Sequence, residues 1–250
     1  SVLEDESKEL KSNVWLFIYS DEKIVKKIKA KNNKGFNRMN WNLYSESKGT
    51  ITSKNKNRDA SGILLPPGKY SAQLFKQIEG EFSSISSQVS FNVIRLSNGA
   101  LNGTSDLEKM KYSTNLYKLR NISSELSNNI KELKTNIELL LKSYERAETT
   151  DSDLLSMILS LRDKTLDLEI KLGGSKVRKE IGEEYEYPTM WTYLWSASGG
   201  TNSTYGPTAS HKKSFENANQ IFSTINSEFK NLHNQYEEVA PKLESIGAPK

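Results

Sequence analysis

Hydrophobic positions follow two different periods along the chain, and the period changes near residue 100. Before that point apolar residues alternate with polar ones or run in short blocks, the strand signature; after it they step by three and four, the helix signature. Val14 to Tyr19 is a continuous apolar and aromatic run, as in a strand covered on both faces. Asp21-Glu22-Lys23 turns the chain into Ile24–Ala30, where Ile24, Ile28 and Ala30 face one side and Lys27 and Lys29 the other. Met39, Trp41 and Leu43 alternate with Arg38, Asn40 and Asn42, which predicts a half-buried strand. Residues 45–61 carry almost no apolar side chains and read as an exposed loop. Leu64-Leu65-Pro66-Pro67-Gly68 reads as a turn, since proline presets φ and glycine tolerates a positive one. Tyr70, Ala72 and Leu74, then Val89, Phe91 and Val93, alternate again. About six short strands with turn signals every 8–15 residues predict an antiparallel β-sandwich over residues 1–100.

Residues 101–250 read as a helical domain, entered through Asn98-Gly99 and Asn102-Gly103. Ser105-x-x-Glu108 is a capping box. A seam of Leu119, Ile122, Leu126, Ile130, Leu133, Ile137, Leu140 and Tyr144 follows, predicting a helix of about 43 residues. Asp151 caps a second helix of about 22 residues, with Leu154, Ile158, Leu161, Thr165, Leu168 and Leu172 on its seam and Gly173-Gly174 as its stop. Pro188 opens a short aromatic helix, Met190 to Trp195, expected to stop at Gly199-Gly200. Pro207-Thr208 starts a last long helix, and Pro241 bends it or splits off a final turn. Three seams must face one another, which predicts an elongated antiparallel three-helix bundle. The second helix is too short to cover its neighbours, so the aromatic helix fills the end it leaves open.

Composition narrows the chemistry. With 35% hydrophobic residues and a mean hydropathy of -0.65, an elongated molecule with a thin core is expected. The chain has no Cys, which excludes disulfides, thiolate metal sites and thiol catalysis. No apolar run approaches the roughly 18 residues of a membrane span. The first residues show neither a basic nor an apolar leader region. Net charge is +4, split as +6 over residues 1–100 and −2 over the remainder. The lysines of the first half are scattered without a nucleic-acid motif and read as a solvated face.

Candidate chemistry is sparse. Glu183, Glu184 and Glu186 stand in a linker, whereas glycosidic chemistry needs two carboxylates across a shared cleft. His211 lacks a ligand at i+4, and His233 with Glu237 reads as a surface pair. There is no nucleophile elbow and no P-loop. The reading is therefore non-catalytic, with no metal and no cofactor. Trp15 and Trp41 read as core. Tyr19, Tyr44, Trp191 and Trp195 are the candidate contacts for a ligand or partner.

Gly35-Phe36-Asn37-Arg38-Met39-Asn40-Trp41-Asn42-Leu43 followed by Pro66-Pro67-Gly68-Lys69-Tyr70 through Leu74 resembles the sandwich motif of large secreted bacterial BNR-repeat, sortilin-like β-propeller proteins, often labelled glycosyl hydrolases. The Pro188 segment, the aromatic helix and the last helix are similar to that family's terminal region. The resemblance implies an Fn3/immunoglobulin-like sandwich in an α+β chain and an extracellular, cell-surface or periplasmic location. It also implies a C-terminal accessory role, supporting or docking the parent propeller or another surface protein. Ligand or hydrolase activity would belong to the propeller, whose Asp-box repeats are not found in this sequence. A carbohydrate-binding module, taking polysaccharide on sheet aromatics, is the alternative.

Overall fold

The computed structural model describes residues 12–31, 33–49, 51, 61–96, 102–183 and 187–249. It is a mixed α+β chain, with antiparallel sheets first and helices after. Two compact units divide at Thr114/Asn115, inside the first turns of a long helix. The acids Glu184 and Glu186 and the dipeptide Asn98-Gly99 lie outside the described residues.

In the first unit β1 (Asn13–Ser20) and β2 (Lys23–Lys29) form a hairpin. Asp21 and Glu22 both take positive φ, 47° and 63°, the backbone sense that matches strand twist in a two-residue turn. β1 pairs on its other side with β5 (Gly68–Ile78). The far side of β5 is shared by β6 (Glu81–Ser84) along its second half and β7 (Val89–Val93) along its first. The register slips between these two strands, and Ser86 mends the gap. Its hydroxyl accepts the Leu74 N–H at 2.9 Å, while its carbonyl takes the Gln73 side-chain amide at 3.0 Å.

β3 (Tyr44–Glu46) and β4 (Ser61–Leu64) make a separate two-stranded sheet. The expected strand at Met39–Leu43 is thus displaced. Those residues alternate in burial as predicted, but Leu43 adopts φ 65°, which interrupts the extended backbone before β3 begins. Direct cross-strand partners share a face. Leu16, Ile18, Ala72, Leu74, Tyr70 and Phe91 therefore line one face, and Trp15, Phe17, Tyr19, Phe75 and Phe82 the other. On the first face Trp41 meets Tyr70 and Phe91 edge-on, with ring centres 5.2 and 6.1 Å away. The buried Tyr70 hydroxyl donates to the Pro66 carbonyl at 2.6 Å, which locks the Pro-Pro-Gly turn to the strand it feeds.

The helices are α1 (Asp106–Tyr144), α2 (Ser152–Gly173), α3 (Lys176–Glu180), α4 (Met190–Asn202), α5 (Ala209–Val239) and α6 (Lys242–Ser245). Ser105 caps α1, its hydroxyl accepting the Glu108 N–H at 3.3 Å. Asp151 caps α2 through bonds of 2.9 and 3.0 Å. Thr208 caps α5 in a reciprocal box with His211, so this histidine is a structural cap. α6 follows Pro241 as a detached turn.

The buried stripe of α1 runs Leu116, Leu119, Ser123, Leu126, Ile130, Leu133, Ile137. It passes through Ser123 and leaves Ile122 43% exposed, contrary to the expected seam. The 3.5 period from Leu116 selects position 123, and a small side chain fills it. Lys171–Glu228 at 2.6 Å and Lys164–Gln235 at 3.1 Å fix α2 antiparallel to α5. α4 packs on the other half of α5, with Ser196 and Ser214 hydroxyls 3.0 Å apart. Gly173 at the end of α2 faces Trp191 near the start of α4, so α4 continues the layer that α2 leaves short. The expected stop at Gly199-Gly200 is absent; α4 runs on to Asn202. Those glycines serve close approach instead: a Cβ on Gly200 would sit 2.9 Å from the Pro207 Cβ.

Candidate docking surface

The four aromatic candidates fall in two places. Tyr19 and Tyr44 belong to different sheets of the first unit. Tyr19 is half-buried beside the irregular step in the β1–β2 register, between Ile18 and Tyr19, and burial raises its phenol pKa. Tyr44 opens β3; its carbonyl accepts the Trp41 indole N–H at 3.0 Å and its N–H donates to the Asn42 side chain at 3.2 Å. Both tyrosines stand at paired strand positions, Tyr19 opposite Ile24 and Tyr44 opposite Leu64.

Trp191 and Trp195 lie one turn apart on α4. The inward face of that helix is anchored by Met190 (0% exposed), Leu194 (1%) and Ala197 (0%). The 3.6-residue turn then directs position 195 outward, and its indole is 81% exposed. Trp191 is half-buried and lines a cleft of about 550 Å³ that includes Leu172, Gly173, Val177, Lys131, Lys176 and Lys179. Lys134 at its rim is paired with Glu169 at 2.8 Å. A second cleft of about 640 Å³, between α2 and α5, includes Ile170, Ile221, Arg178 and Tyr187. The first cleft, apolar and lined by Lys131, Lys176 and Lys179, suits an acidic partner carrying apolar side chains.

The aromatic face of the first unit joins Trp15, which reads as core in the sequence, to Phe17, Phe75 and Phe82. Phe17 stacks on Phe75 at 4.4 Å, and Phe82 approaches Phe17 and Trp15 at 5.3 and 6.1 Å. Lys27 places its ammonium 4.8 Å from the Phe17 ring centre, and Lys29 lies 6.0 Å from that of Trp15. Three odd-numbered aromatics in β1 were the available signal; the contribution of Phe75 and Phe82 depends on strand pairing. The Trp15 indole N–H donates to the Gln77 side chain at 2.9 Å.

Among the described residues, the ionisable ones weighed for catalysis stay apart. Glu183 is exposed, with its carboxylate 4.0 Å from Arg178. His233 faces Glu237 at 3.8 Å on the exposed side of α5, its ring stacked between Phe229 and Tyr236. Among the described residues no three His, Cys, Asp or Glu side chains gather as a metal site would require, and no helix is long and apolar enough to cross a membrane. No protein-family model, curated protein or solved structure matches the chain.

Proposed function

We propose that this chain is a non-catalytic accessory module of a secreted or cell-surface bacterial β-propeller protein of the BNR-repeat, sortilin-like kind. It works by structural support and protein–protein docking, outside the cytoplasm and without nucleic acid. In this reading the first unit is an Fn3/immunoglobulin-like sandwich. The Tyr70–Pro66 hydrogen bond supports it, since it has the form of a tyrosine corner. The helical unit is a three-helix bundle whose aromatic helix α4 completes the short layer.

The observation that carries the docking role is Trp195. A tryptophan 81% exposed on a helix whose opposite face is fully buried is a rigid anchor offered to a partner. The test is calorimetric titration of the chain with the separately expressed propeller of its parent protein. Trp195→Ala should weaken binding by about tenfold or more while leaving the melting temperature unchanged. No binding, or a parent gene product without a propeller, refutes the proposal.

A second reading is favoured by one feature, the sheet face of Trp15 and Phe82 with Lys27 and Lys29. Aromatic rings beside amides and ammoniums suit sugar rings carrying carboxylates. Titration with acidic polysaccharides should quench Trp15 fluorescence; an unchanged spectrum ends this reading.

A further inference from the structure

The two edges of the main sheet differ in a way that points to self-association. The β2 edge is guarded: the strand reads Lys-Ile-Val-Lys-Lys-Ile-Lys, and the hairpin β3–β4 reaches it. Glu46 of β3 accepts the Lys27 backbone N–H at 3.2 Å and pairs with Lys26 at 3.2 Å. Lysines and a covering loop are the usual defences of an edge strand. Among the described residues the β7 edge has none of them. Its sequence, Val89-Ser90-Phe91-Asn92-Val93, contains no charge, no proline and no glycine. Its inner side pairs with β5, and among the described residues no strand pairs with its outer side. Val89 is 61% exposed, and the chain leaves β7 through Ile94, 75% exposed.

We propose that the outer edge of β7 pairs antiparallel with β7 of a second copy about a twofold axis through Phe91. The strand is close to self-complementary when reversed. Antiparallel pairing centred on Phe91 sets Val89 opposite the second copy's position 93, and Ser90 opposite its position 92. Apolar residues then meet apolar ones on the face shared with Trp41, and hydroxyl meets amide on the other face. An inward-facing charge or a proline anywhere in the five residues would forbid this arrangement. The pairing joins the two sheets into one and uses up the outer edge of β7 in both copies, so it stops at a dimer. The neutral edge makes it insensitive to salt. β7 belongs to the first unit and Trp195 to the second, so the inference goes beyond the docking reading.

Sedimentation velocity of the 250-residue chain over a range of concentrations tests it. A reversible dimer is expected, equally stable in low and high salt. Ser90 and Asn92 are exposed, so their substitution leaves the fold in place, which circular dichroism verifies. S90K/N92K sets like charges opposite each other twice and should weaken the dimer by at least about tenfold. S90K/N92E sets opposite charges across the axis and should restore it; S90E/N92E repeats the repulsion with the other sign. Trp195→Ala should leave the dimer intact. A monomer at all concentrations up to about 1 mM overturns the proposal. So does a dimer indifferent to S90K/N92K, or growth of open-ended oligomers.

Discussion

Ser123 offers the sharpest test of the helical core. It is fully buried on the α1 stripe between Leu119 and Leu126, and its hydroxyl has no hydrogen-bond partner among the described residues. A buried hydroxyl left unsatisfied costs roughly 1–3 kcal/mol in lost hydration. Ser123→Ala removes that cost and adds a few tenths of a kcal/mol in helix propensity. Against this stands a void of one atom, whose lost dispersion contacts cost about 0.5–1 kcal/mol. The net expectation is stabilisation by about 1 kcal/mol, which in a chain of this size raises the melting temperature by about 2–4 °C. Thr165 is the matched control. It is equally buried on the α2 seam, but its hydroxyl donates to the Leu161 carbonyl at 2.7 Å. Thr165→Val keeps the shape, loses that bond and should destabilise by about 1 kcal/mol. Urea unfolding followed by circular dichroism measures both. The reasoning fails if Ser123→Ala loses more than about 0.5 kcal/mol, or if the two substitutions move stability in the same direction.

Two further outcomes follow from the packing and the buried phenols. Gly200→Ala should destabilise despite the better helix propensity of alanine, because the new methyl meets the Pro207 Cβ at 2.9 Å, its Cα at 3.1 Å and the His211 Cβ at 3.1 Å. A loss of about 1–3 kcal/mol is expected in thermal unfolding, and a gain would refute the tight crossing. Burial pushes the Tyr112 phenol up to about 12, and Tyr19, Tyr70 and Tyr236 shift in the same direction. A raised folded-state pKa contributes stability that is complete below the unfolded value of 10.0 and is lost as pH climbs from there towards about 12. Urea midpoints should therefore fall between pH 9 and pH 11.5 (about the limits that bracket the ordinary tyrosine pKa), and Tyr112→Phe should flatten the slope.

The order of elements and the change from strands to helices could be read from hydrophobic spacing, because burial on one face imposes a period of two or of 3.6 whatever the partner. Caps were equally local: Ser105, Asp151 and Thr208 each satisfy backbone donors within three residues of themselves. What the sequence left open depended on neighbours distant along the chain. Gly199-Gly200 reads as a helix stop until Pro207 and His211 pack against it, and then small residues are needed inside the helix. Ile122 looks like the seam residue, yet the buried stripe runs through Ser123. Leu43 belongs to an alternating run, yet its positive φ ends the extended segment. The aromatic face needed Phe75 and Phe82 beside Phe17, which only strand register supplies. Exposure of Trp195 and of the β7 edge was likewise settled by tertiary packing. An indole or an uncharged strand looks the same in sequence whether a neighbour covers it or not; the difference lies in which faces the folded elements use up.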